Sequence, residues 1–208
     1  MTVFAVDPDD PDPALVARAA GLLRKGELVI YPTDTLYALG ALAHHGGGAA
    51  RVRLAKGRDD QKPLPLVAAD LEQARALSSE WTDAAERLAA RFWPGPLTIV
   101  VKAKPGIPTE VTAGTGTIAV RVPGCALPRR LCAAAGGALV STSANRAGAA
   151  GPRTCAEAVA GVGTWAALAL DGGPGRSASS TIVDLTGAVP RLARAGPIGW
   201  PDVLEALG

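Results

Sequence analysis

The stretch Leu28-Val29-Ile30-Tyr31-Pro32-Thr33-Asp34-Thr35-Leu36-Tyr37-Ala38-Leu39-Gly40 limits the possible folds more than any other part of the chain. It opens as a short apolar, β-favouring run and stops at Pro32, which has no N–H to give to a sheet ladder. Thr33, Asp34 and Thr35 follow, three small oxygen-bearing side chains in a row. A buried strand that ends in hydroxyls and a carboxylate is where an open α/β sheet places a ligand. The same letters also suit a plain strand-to-turn corner, with Thr and Asp bonding their own backbone.

The rest of the chain alternates helical and strand patterns. Residues 14–25 have Leu15, Ala19, Leu22 and Leu23 near helical spacing, with Asp12 placed to cap and Lys25-Gly26 to end the helix. His44 to Gly48 reads as a Gly-rich loop, followed by a helix through Val52 and Leu54 that carries Arg51, Arg53 and Lys56. Gly57 is a candidate helix C-cap, which would set Lys56 and Arg58 at the lip of the sheet, with Lys62 after a break. A solvated charge run is the competing reading.

Leu66-Val67 reads as a strand, residues 70–77 and 79–93 as two helices, and Trp93-Pro94-Gly95-Pro96 as a sharp stop before the strand Leu97–Val101. Trp93 is assigned to packing. The run Ile118-Ala119-Val120-Arg121-Val122 is a strand with an arginine among valines. If both faces are covered, Arg121 must meet an acid or an anionic ligand, because burying a lone charge costs several kcal/mol. On an edge strand it would face water instead.

A helix through Leu127, Leu131 and Ala134 leads to the strand Ala138-Leu139-Val140, which runs into Ser141-Thr142-Ser143-Ala144-Asn145. Thr154 caps a short helix, Ala166–Leu170 is strand-like, Asp171–Gly175 is a tight loop, and Ser179-Ser180-Thr181 feeds Ile182-Val183-Asp184. A last helix covers residues 201–207. Four strand ends therefore present hydroxyls: Thr33/Thr35, Thr117, Ser141/Ser143 and Ser179/Ser180/Thr181. Lys56, Arg58, Arg121 and Arg194 stand near them in sequence. Together these residues suggest a groove for a nucleotide plus a small anion.

Bulk numbers exclude more than they assign. The formal net charge is +2, too small to argue for nucleic acid by bulk electrostatics. Three cysteines, Cys125, Cys132 and Cys155, show no C-x-x-C spacing, so neither a disulfide framework nor a zinc site is suggested. Neither G-x-x-x-x-G-K-[ST], G-x-G-x-x-G nor G-x-S-x-G occurs, and the only histidines, His44 and His45, are adjacent. Asp7 to Asp12 is acidic and proline-broken, unlike a secretory signal, and no apolar run reaches the roughly 18 residues of a membrane span. The default is a cytoplasmic protein with no membrane partner.

The motifs, taken in order, resemble those of the YrdC-like family. Tyr31–Gly40 resembles its Y-P-T-[DE]-T-x-Y-G-L-G signature. Lys56-Gly57-Arg58, Phe92–Thr98, Ile118–Pro123, Ser141–Asn145, Ser180–Asp184 and Arg194-Ala195-Gly196 look like its later motifs. The resemblance implies a single YrdC-like domain over residues 1–208, with its core at about 14–198. The implied fold is α/β, a twisted open mixed sheet with flanking helices around a positively charged cavity. The chain looks like the short form, without the extra C-terminal domain of some members.

The implied activity is synthesis of L-threonylcarbamoyladenylate from L-threonine, bicarbonate or CO2, and ATP, with release of pyrophosphate. The product serves threonylcarbamoylation of adenosine 37 in tRNA. By the same resemblance Thr35, Arg121 and Ser180 hold threonine, with Arg121 on its carboxylate. Lys56 and Arg58 neutralise phosphates together with Mg2+. Lys56, Arg58, Thr117, Ser141, Ser143 and Arg194 bind ATP. No residue-built metal site and no general base is implied, and tRNA and the downstream transfer proteins are the expected further partners.

Three positions depart from the pattern: Ala38 where Gly is usual, Lys62 where Asn is common, and Val67 where some members have a His that touches threonine. These leave room for a paralogue with a different acceptor, and the basic cavity would also suit a non-catalytic module binding double-stranded RNA or tRNA.

Overall fold

The computed structural model describes residues 1–57, 62–175 and 178–208. In chain order its elements are β1 (Thr2–Ala5), α1 (Pro13–Arg24), β2 (Leu28–Tyr31), β3 (Ala38–Leu42), α2 (Gly46–Lys56), β4 (Leu66–Val67), α3 (Leu71–Arg75), β5 (Ser78–Glu80), α4 (Asp83–Phe92) and β6 (Leu97–Ala103). There follow α5 (Thr109–Thr112), β7 (Thr117–Arg121), α6 (Ala126–Ala135), β8 (Leu139–Ser143), α7 (Cys155–Val162), β9 (Ala166–Asp171), β10 (Thr181–Asp184), β11 (Arg191–Arg194) and α8 (Trp200–Leu207). No helix among the described residues is long and apolar enough to cross a membrane.

The strands form one mixed sheet in the order β1-β9-β2-β3-β8-β4-β7-β6-β10-β11, with β5 paired to β6. Parallel pairs, such as β2 with β9 and β4 with β7, sit beside antiparallel ones, such as β2 with β3 and β6 with β7.

Side-chain alternation explains both faces. Along β2, Leu28 and Ile30 enter one core cluster, and Val29 and Tyr31 enter the other. The first cluster takes in Ala49 and Val52 of α2, Leu88 of α4, Ala158 of α7 and Val203 of α8, so several helices cover that face. The opposite face is covered by α1 (Val16, Ala19, Ala20, Leu23) and α6 (Leu127, Leu131, Cys132, Ala135). Those two helices pack on each other and on β2, β3 and β4. On β6 and β7, Ile99, Val101, Ile118 and Val120 point to the first cluster, which leaves Thr98, Val100, Ala119 and Arg121 on the second face. There, beyond the reach of α1 and α6, the sheet is lined by polar side chains and opens into a cleft.

Local signals account for most boundaries. Asp12 caps α1 at Ala14 N, Gly57 ends α2 in the left-handed region at φ 58°, and Thr154 with Glu157 closes a reciprocal capping box on α7. Several expectations need correction. The helix expected over 79–93 begins at Asp83, because Ser78–Glu80 pairs with β6, the Ser78 hydroxyl reaches Glu80 O and Lys102 O, and Thr82 is the cap. The Gly-rich loop is helical from Gly46, since Ala49 and Val52 pack in the core and outweigh poor glycine propensity. Ala134 faces out, and Ala135 takes the buried position on α6. The folded body also exceeds 14–198, because β1 pairs with β9 and Val203 of α8 is fully buried.

Gly40 shows how tightly β2 and β3 are matched. Tyr31 is fully buried, and a Cβ on Gly40 would lie 2.4 Å from its ring atom Cε1. The ring thus lies over bare backbone, and a methyl group there would force it out of its packed position. Gly40→Ala is expected to lower the unfolding free energy by about 1–3 kcal/mol in urea denaturation. Adding Tyr31→Leu should recover part of that loss; a simple sum of the two losses would count against the steric account.

Candidate active site

The cleft has two lobes. The inner one, about 120 Å³, is lined by Thr33, Thr35, Ala38, Val67, Thr98, Arg121, Ser141, Ser143, Ser180 and Arg194, among others. The outer one, about 710 Å³, is lined by Lys56, Lys62, Thr115, Thr117, Ala119, Ser143, Asn145 and Arg194, among others. Pro65, Thr142, Ser143, Ile182 and Arg194 belong to both walls, so the lobes are continuous.

Strand parity builds this wall. Thr117, Ala119 and Arg121 form an i, i+2 row along β7, running from the outer lobe to the inner one. Ser141 and Ser143 do the same on β8, beside Ala38 and Gly40 of β3. One residue of register slip would turn each row into the core.

Arg121 sits on β7 between β4 and β6, an interior strand. Its side chain is 8% exposed, and Nη1 donates to Asp34 Oδ1 at 2.8 Å, with the Asp34 side chain 14% exposed. The reading of Arg121 as an edge residue in water is therefore wrong, and an acid meets it as burial requires. The acid comes from the turn between β2 and β3, far away in sequence.

Arg194 reaches the lobe from β11. Its Nε donates to Ser180 O at 2.9 Å and its Nη2 to Ser180 Oγ at 3.0 Å. The Ser180 hydroxyl is also 2.7 Å from Thr98 Oγ1. This clamp depends on a close backbone crossing: a Cβ on Gly196 would lie 2.4 Å from Thr181 N and 2.6 Å from Ser179 O. Thr181, expected with the hydroxyl set, is instead structural; its Oγ1 donates to Ile198 O and holds the same crossing. Burial, and after it the nearby Arg121 guanidinium, pull Arg194 below its ordinary value. Two guanidiniums that disfavour each other at one lobe make a place for an anion.

Lys56 closes the last turn of α2 and is 4% exposed. Its Nζ donates to Ser143 O at 2.6 Å and to Asn145 O at 2.9 Å, bracing the segment after β8 where the lobes meet. The other α2 cations divide by role. Arg51 pairs with Glu27 at 3.0 Å, and Arg53 holds the backbone of Glu110 and Lys62. Arg58 lies outside the described residues.

Every other residue given a role by the resemblance lines a lobe. Thr35, Arg121 and Ser180 are together in the inner one, Lys56 and Thr117 are in the outer one, and Ser143 and Arg194 are in both. Ser141, grouped above with the nucleotide, lies in the inner lobe. Thr33 lines the inner lobe and Asn145 the outer one, as their strand-end positions suggested, whereas sequence reasoning did not place Thr98 or Thr115 in the cleft. Thr98 was detectable in principle, since it shares parity with Val100 on a strand whose other face is apolar. Cys132 and Cys155 are buried, which pushes their thiols up to about 12 and about 11, so neither is a ready nucleophile.

Among the described residues no group of three or more His, Cys, Asp or Glu side chains could hold a metal. Asn145 lines the outer lobe, and its buried Oδ1 has no hydrogen-bond partner among the described residues. That donor set fits a hard cation that brings phosphate ligands with it, not a protein-only cage.

A fold with a polar, arginine-lined cleft on one face of a mixed sheet defines an α/β small-molecule binding class. The chain matches the Sua5/YciO/YrdC family model, described as telomere recombination, over residues 21–196, and it belongs to that family. It is 36% identical over 191 residues to the threonylcarbamoyl-AMP synthase of Pyrococcus abyssi, covering 91% of this chain and 56% of that one. The protein of the same name from Thiobacillus denitrificans is 36% identical over 171 residues, 81% of this chain and 90% of its own. The crystal structure of Pyrococcus abyssi Sua5 complexed with L-threonine superposes with a TM-score of 0.95 at 33% identity, over all of this chain and 61% of that one.

Removing Asp34 leaves the Arg121 guanidinium buried without its acid. Asp34→Ala is expected to cost about 3–5 kcal/mol of unfolding free energy in denaturant titration. Combining it with Arg121→Leu should cost clearly less than the sum, and strict additivity would mean the pair is not coupled.

Proposed function

We propose that the protein forms L-threonylcarbamoyladenylate from L-threonine, bicarbonate or CO2, and ATP, releasing pyrophosphate. The observation that carries this reading is the continuity of the two lobes at Ser143 and Arg194. An amino acid in the inner lobe and a nucleotide in the outer one would meet at that junction. The names of the relatives, and threonine in the Pyrococcus structure, favour this chemistry over a non-catalytic RNA-binding role.

In this reading Arg121 takes the threonine carboxylate on the edge that Asp34 leaves open, and Thr35 and Ser180 take the rest of the amino acid. Thr117, Ser143 and Arg194 bind the nucleotide, with Lys56 holding the wall they share and Arg58 assigned to the phosphates on resemblance. Mg2+ would accompany ATP, near Asn145 Oδ1 and Ser143, and would offset phosphate charge.

The threonine ammonium releases one proton to solvent; the amine nitrogen then attacks the carbon of CO2, a C–N bond forms as one C=O π bond opens, and a second proton passes to solvent. A carbamate oxygen then attacks the α-phosphorus, and the bond to the β-phosphate bridging oxygen breaks. The balance is L-threonine, bicarbonate and ATP to L-threonylcarbamoyladenylate, pyrophosphate and water. The chain contributes alignment and charge neutralisation more than covalent help. The product would go on, through transfer proteins, to adenosine 37 of tRNA in the cytoplasm.

Purified protein with Mg2+, ATP and bicarbonate is expected to release pyrophosphate only when L-threonine is added. Arg121→Ala should lower kcat/KM by roughly 100-fold or more, as expected for one partner of a buried charged contact. Release that ignores threonine would refute the assignment.

A further inference from the structure

The two threonines at the inner lobe carry a hydrogen-bond direction. Thr33 is 5% exposed and Thr35 is 6% exposed. Thr33 Oγ1 lies 2.7 Å from Leu36 O, and a carbonyl only accepts, so the single Thr33 hydroxyl proton is committed there. Thr33 Oγ1 also accepts the Thr35 N–H at 3.1 Å. The remaining contact, Thr33 Oγ1 to Thr35 Oγ1 at 2.9 Å, therefore needs the Thr35 proton. With that, Thr33 accepts twice and donates once, and the Thr35 oxygen has only lone pairs left for the lobe. Arg121 and Arg194, across the same lobe, can only donate.

We propose that Thr33 is a positioning residue that fixes Thr35 as an obligate acceptor, so that the inner lobe selects a ligand with an N–H group beside its carboxylate, an α-amino acid, over the deaminated hydroxy acid. This rests on the reading of the inner lobe as the threonine site. The carboxylate cannot bind in reverse, because its lone pairs would meet those of Thr35 while both guanidiniums went without an anion. The direction also serves the chemistry. Thr35 has no proton to give, so it accepts an N–H bond from the ammonium and, once that group has released one proton to solvent, leaves the nitrogen lone pair open to CO2.

The test is isothermal titration of L-threonine and of (R)-3-hydroxybutanoate, which lacks only the amine, into wild-type protein, Thr33→Val and Thr33→Ser. Wild type is expected to prefer L-threonine by roughly 30-fold or more, the size of a buried acceptor left unpaired. Thr33→Val frees the Thr35 proton and should compress the preference to below about 5-fold, while Thr33→Ser, which keeps the hydroxyl, should retain it. Equal weakening of both ligands in Thr33→Val would mark Thr33 as merely structural and overturn the proposal. Wild-type binding of both ligands alike would overturn it without any variant. Should Thr33→Val not fold, the hydroxyl-proton resonances of wild type decide: the Thr35 proton should stay on Thr33 when L-threonine binds, and its transfer to the ligand refutes the inference. No wild-type binding of L-threonine at all would instead sink the functional reading itself, and this inference with it.

Discussion

The buried contact between Arg121 and Asp34 is the constraint on which the cleft depends. An arginine on an interior strand is tolerable only if an acid is buried with it. Asp34 comes from the turn between β2 and β3, and Arg121 from β7, with β8 and β4 between them in the sheet. The pair therefore ties the signature turn to the middle of the sheet. It also anchors the guanidinium through one nitrogen, on a residue that lines the inner lobe. The 2.8 Å contact is a fold element and a site element at once.

The cleft exists because the two faces of the sheet are covered unequally. Many helices pack on the first face, whereas α1 and α6 cover only part of the second. The uncovered strands carry hydroxyls and cations at alternate positions, so the exposed part of that face is polar where an ordinary sheet would be apolar. Burying the first face stabilises the domain through area removed from water. The part of the second face under α1 and α6 closes a core cluster of its own, and the part beyond them holds the chemistry.

Much of this could be read from residue order. The strand ending at Pro32, the Asp12 and Thr154 caps, the Gly57 stop and the strand holding Arg121 all follow from local physics. The less legible parts were those that neighbours decide. Ser78–Glu80 has no strand signature and is a strand because β6 offers it a free edge. β1 is mostly exposed and pairs only because β9 lies beside it. The glycines before Ala49 favour a loop, yet core packing of Ala49 and Val52 draws them into α2.

Residue order alone sufficed for the type of fold, the family motifs and the inventory of hydroxyls and cations, because periodicity and capping act within a few residues. It did not decide which of those groups meet. That Asp34 is the acid for Arg121, that Arg194 clamps Ser180 while Arg51 and Arg53 serve as struts, and that Ser141 faces the inner lobe are results of sheet order and register. The direction of the Thr33–Thr35 bond is likewise a matter of three-dimensional placement, since a hydroxyl can donate or accept until Leu36 O claims its proton. Long-range pairing sets those placements, and no local preference encodes them.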